Sequence, residues 1–82
     1  MDPVAWRVRE VVLEACLLAA RCRAGRITDD RTLASLECLR VDLLALAAQT
    51  SDLEVAADAR DVAREIAEAF EAMERHVERR SA

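Results

Sequence analysis

SDLEVAADARDVAREIAEAFEAMERHVERR, residues 51–80, holds neither glycine nor proline and repeats its apolar residues at helical spacing. Val55, Ala59, Val62, Ile66, Phe70, Met73 and Val77 follow one another in steps of 4, 3, 4, 4, 3 and 4. That spacing puts them on one stripe of an α-helix. Val55, Ile66 and Val77 also recur every eleven residues, the period of a nearly straight helix with at most a slight right-handed supercoil. Ser51-Asp52-Leu53-Glu54 reads as a capping box at its start, satisfying two backbone donors that a helix end leaves without partners. Acids gather in the first turns (Asp52, Glu54, Asp58, Asp61), and Arg75, His76, Arg79 and Arg80 gather at the end. This order complements the helix dipole. A helix over 52–80 is predicted to be about 43 Å long at 1.5 Å per residue.

Working toward the N-terminus, Gln49-Thr50-Ser51 leaves room only for a tight turn. A second helix is predicted over 29–48, capped by Thr28 or Asp29, with the seam Leu36, Leu39, Leu43, Leu46 widened by Leu33, Leu44 and Ala47. Its weaker side carries Ala34, Cys38, Val41 and Ala45. Gly25 marks the left-handed residue that ends a first helix over 3–23. Asp2-Pro3 starts that helix, with Asp at the cap and Pro at the first helical position, and Met1 and Trp6 are spaced for a hydrophobic staple. Its seam is Val4, Val8, Val11, Ala15, Leu18 and Cys22, widened by Val12 and Ala19. A second apolar stripe, Trp6, Leu13, Leu17 and Ala20, lies nearly opposite. Helices joined by short turns fold back on one another. The expected fold is therefore all-α: a single domain over 1–82, an antiparallel up-down-up three-helix bundle whose long last helix overhangs the other two, dimerising with a second copy.

Composition narrows the function. Of the 82 residues 54% are hydrophobic, yet 17 are Ala and only two are aromatic, Trp6 and Phe70. So thin a core in so short a chain favours self-association. All 12 basic residues are Arg, with Lys, Asn and Tyr absent, a bias that points to a GC-rich bacterium or its phage and warns against assigning function to Arg abundance. The net charge of −4, concentrated in the last third, argues against nucleic acid as a partner. No run reaches the roughly 18 apolar residues of a membrane span, so no membrane association is expected. Three cysteines without paired spacing and a start lacking a basic, apolar leader suggest reduced thiols in the cytoplasm.

No chemistry-bearing motif stands out: no phosphate loop, nucleophile elbow or paired metal-ligand spacing occurs. Cys16, Cys22 and Cys38 are expected to pack in the core. His76 is expected to compensate the helix dipole, and the glutamates of the last helix to form a solvated face. Catalytic, cofactor and metal sites are accordingly expected to be none. Trp6, Leu13 and Leu17 on the second stripe of the first helix, with Met73 and Val77 on the overhang, are the candidate interaction residues, because Trp is a favoured interface anchor. The functional expectation is a small protein–protein interaction module of inhibitor, antitoxin, immunity, adaptor or chaperone type, homodimeric and engaging a second, larger protein. The alternative is a small helical-dimer enzyme with an Arg/Glu-lined pocket between subunits. Arg40 motivates it, because a buried Arg among the apolar residues of the second helix needs a partner charge or an anionic ligand.

Overall fold

The caps and breakers divide the chain into three helices. They are α1 (Pro3–Arg23), α2 (Asp30–Gln49) and α3 (Leu53–Ser81). The structure is a computed structural model that describes residues 2–27 and 29–81, with side chains described as far as Arg75. It is an all-α three-helix arrangement, and no strand occurs among the described residues. Its extents of 51 × 18 × 16 Å are those of a rod, whose long axis is set by the 29 residues of α3.

Each boundary has a local cause. The Asp2 carboxylate accepts from the Val4 N–H at 2.9 Å and Pro3 occupies the first helical position of α1. At the other end the Gly25 N–H donates to Cys22 O and the Arg26 N–H to Arg21 O, the crossed pair of bonds that terminates a helix through a left-handed residue. Gly25 has φ +70 and nothing within 4 Å of where a Cβ would sit, so backbone conformation rather than crowding requires glycine there. Asp29 caps α2, its carboxylate accepting from the Thr32 N–H at 2.8 Å and from the Thr32 hydroxyl. Thr28, the other candidate cap, lies outside the described residues, as does Met1 of the expected staple.

The start of α3 differs from the expected capping box by one residue. The Asp52 carboxylate, not the Ser51 hydroxyl, accepts from the Glu54 and Val55 N–H groups at 3.0 and 3.2 Å. Thr50 explains the shift. Its hydroxyl accepts from the Asp52 N–H at 3.2 Å and donates to Asp2 Oδ2 at 2.8 Å, so the turn is pinned one residue later and tied to the start of α1. The Thr50 hydroxyl, followed by the Val4 N–H, holds the Asp2 carboxyl below the ordinary carboxylate range. Removing the α3 cap in Asp52→Ala is expected to lower stability by about 1 kcal/mol, whereas Ser51→Ala changes it by a few tenths. Denaturant unfolding of the two variants checks this, and equal losses would return the cap to Ser51.

The core forms from one stripe of each helix. From α1 come Val8, Val11, Ala15, Ala19 and Cys22; from α2, Leu36, Leu43 and Ala47; from α3, Val55, Ala59, Val62, Ile66 and flanking alanines. Among the described residues seven of the sixteen buried ones are Ala, and small side chains at the contacts let helix axes approach toward the near end of the usual 8–10 Å. The Cys22 thiol reaches Ala69 O on α3 at 3.8 Å. Arg23 donates to Glu68 Oε2 at 3.4 Å and to Glu65 O at 3.5 Å. Both side chains of that ion pair are about half exposed, so it positions more than it stabilises. Ile27, in the turn between α1 and α2, is buried in the same cluster.

Candidate interaction surface

The core stripe of α1 occupies one side of that helix, and its other side carries large apolar groups in solvent. Trp6 is 58% exposed, Leu13 76% and Leu17 56%. Ala20 and Ala24 continue the same line and are also exposed. Both neighbouring helices pack on the core side, so neither covers this one. Charged residues frame it: Arg7, Glu10, Glu14 and Arg21 on one flank, Arg9 and Arg23 on the other. Arg7 and Glu10 pair at 3.8 Å with both side chains well exposed.

On the second flank, α1 and α3 enclose an open groove of about 370 Å³, floored by Val12 and Val55 and edged by Arg9, Leu13, Glu54 and Asp58. Glu54, Asp58, Asp61, Glu65 and Glu68 are all exposed. Their 4-3-4-3 spacing makes an acidic ladder along the side of α3 that faces this groove. Cys16 lies on the same flank of α1, and partial desolvation of its thiol, followed by the Glu65 carboxylate, pushes it above the ordinary range.

The remaining expected site residues are placed differently. Met73 is partly buried and packs against the core cluster to which Ile27 belongs. The buried turn residue extends the core past the ends of α1 and α2, which the turn's sequence alone did not signal. The side chain of Val77 lies outside the described residues, as does that of His76. Of the three cysteines only Cys22 is buried, while Cys16 and Cys38 are exposed. The expectation of core packing is therefore corrected for two of them: α1 and α2 each turn a single stripe inward, and these two lie beyond it. Leu44, expected to widen the α2 seam, is 43% exposed beside Val41. It lies about 80° round the helix from Leu36, at 100° per residue, beyond the reach of α1 and α3. Leu53, 85% exposed at the first residue of α3, was not singled out by periodicity because it precedes the stripe.

Arg40 donates through Nε to Glu37 Oε2 at 2.8 Å and through Nη2 to Glu37 Oε1, a two-pronged pair one turn apart on α2. That bond holds the Glu37 carboxyl below its ordinary range. The pocket alternative thus loses its motive, since Arg40 has a protein carboxylate and is not fully buried. Among the described residues no charged or polar side chain is buried, and no group of three potential metal ligands converges. No helix is long and apolar enough to cross a membrane among them either. Comparisons with protein-family models, with curated proteins and with solved structures return no match.

Proposed function

We propose that this chain is a small protein–protein interaction module that works as a homodimer, joined through the outer face of α1. The observation that carries the reading is the exposure of Trp6, Leu13 and Leu17 in one line on a helix whose opposite face already supplies the core. A surface of that kind is large and apolar for so small a chain, and such patches mark interaction sites. The end contacts support an alternating, antiparallel order of the helices. Thr50 at the end of α2 bonds to Asp2 at the start of α1, and Cys22 near the end of α1 meets Ala69 well along α3. In that arrangement the outer face of α1 stays open along its full length. The acidic ladder on α3 repels polyanions, which favours a protein over a nucleic-acid partner.

The energetics suit a reversible dimer. Burying one large apolar side chain contributes about 1.5–3 kcal/mol at most, and two copies bring six of them. The loss of translational and rotational freedom opposes this with about 4–15 kcal/mol. The two terms are of the same order, so the mass should depend on concentration. Light scattering after size exclusion, over a concentration series, is expected to give a dimer for the wild type. Trp6→Asp combined with Leu17→Asp is expected to weaken association at least tenfold, giving a monomer with unchanged helical circular dichroism. A monomeric wild type would hand the stripe to a different protein, and a double variant that stays dimeric would move the contact to another face. Either result overturns the proposal.

A further inference from the structure

We infer that the two α1 helices of the dimer run antiparallel, in the register that sets Trp6 of one copy against Ala24 of the other. The inference rests on the homodimer reading above and adds the geometry of the contact. An interface between identical chains joined by a two-fold axis must match its own surface. The outer face of α1 does so in one direction only. Its seam runs Trp6, Leu13, Leu17, Ala20 and Ala24, and Glu10 at the edge of one flank completes the steps of 4, 3, 4, 3 and 4, the spacing of a helix–helix seam. The seam is bulky at its start and small at its end.

Reversing the second copy and pairing residues whose numbers sum to about 30 brings every seam position opposite another. Trp6 meets Ala24, Glu10 meets Ala20, and Leu13 meets Leu17, each twice. The indole then fills the space that alanines leave, and the leucines form the centre. In a parallel pair Trp6 would face Trp6, Ala20 would face Ala20 across a gap, and Glu10 would face Glu10. Two carboxylates in a partly desolvated seam repel, whereas the antiparallel register puts Glu10 beside Arg21 of the other copy, one position from Ala20. Glu10 and Arg21 lie on the same flank of α1, and a two-fold axis perpendicular to the helices brings like flanks together. The opposite flank brings Arg9 near Arg23 of the second copy. Arg23 is already paired with Glu68 of its own chain at 3.4 Å, and Arg9 edges the same groove as the carboxylates Glu54 and Asp58.

The test places a nitroxide at position 7 through Arg7→Cys, with Cys16→Ser and Cys38→Ser; Cys22 is buried and is left in place. Mass is measured alongside the electron–electron distance. In the antiparallel register position 7 lies level with position 23 of the other copy, so the two labels are separated along the axis by about 24 Å. In a parallel pair they lie at one level, separated by about the 8–10 Å between packed helices plus the tethers. A second measurement does not depend on labels. Glu10→Arg is expected to raise the dimer dissociation constant about tenfold, and adding Arg21→Glu is expected to restore it. In a parallel pair the second change would restore nothing. A dimer with the short distance, or without charge-swap rescue, overturns the orientation while leaving the α1 dimer standing. A monomer at every concentration overturns both.

Discussion

Ile66→Ala lowers the free energy of unfolding by about 2–5 kcal/mol, among the largest losses expected from a side-chain truncation in this chain. Ile66 is fully buried at the middle of α3, where its stripe meets residues of both other helices. Truncation removes apolar contact on two sides and leaves a cavity. The surroundings collapse poorly, because many of the neighbouring core residues are alanines with no side-chain freedom to move in. The higher helix propensity of Ala returns only a few tenths of a kcal/mol. A chain of 82 residues has a total stability of roughly 4–12 kcal/mol at 0.05–0.15 kcal/mol per residue, so the variant stands near the edge of folding. Urea titration followed by circular dichroism, at one fixed protein concentration because association adds to stability, is the check. Leu13→Ala is the control: Leu13 is 76% exposed, and its loss should act through association alone. A loss below about 1 kcal/mol for Ile66→Ala would mean that the α3 stripe is not the centre of the core.

The second large effect comes from adding volume. Ala59→Leu places an isobutyl group at a fully buried position on α3, between helices held close by small residues. Overpacking of this kind costs about 1–3 kcal/mol, and the change here belongs at the upper end, because the helix carrying it cannot shift without loosening both contacts. Ala57→Leu, two residues earlier and exposed, adds the same group to the same helix and should stay within about 0.5 kcal/mol of the wild type. The pair separates packing from helix propensity, which is nearly equal for Ala and Leu. Equal, small effects at both positions would show that the alanines are not close-contact residues.

These two variants mark what was legible in advance. The α3 stripe through Ile66 and Ala59 follows from residue spacing, because burial along an isolated helix must repeat with the helical period. The caps at Asp2 and Asp29 and the stop at Gly25 were legible for a similar reason: each satisfies or ends a local backbone pattern within a few residues of itself. The α3 cap lies one residue beyond the Ser51 position that the local pattern predicts, because the bond that fixes the turn is a distant one. Thr50 is held by Asp2, 48 positions earlier, and no local pattern contains that bond. Cys16 and Leu44 lie at the edge of a seam, where an apolar residue is ambiguous by angle, whereas Cys38 lies on the weaker side of α2, about 200° from Leu36. Burial depends on whether a neighbouring helix extends round that far.

The sequence by itself determined that the chain is three helices, where each begins and ends to within a residue, and which stripe of α3 is buried. Those are properties of backbone hydrogen bonding and helical period, which act over short range. Only the tertiary structure decided which of the two stripes on α1 is core, that Ile27 in the turn is buried and Met73 packs against the core cluster, and that Arg40 is answered by Glu37. The wheel of α1 offers two apolar faces of comparable strength. The choice between them falls to the packing of α2 and α3 on one side, a fact about neighbours that no periodicity along α1 contains. That choice leaves Trp6, Leu13 and Leu17 in solvent, and with them the surface from which the function is read.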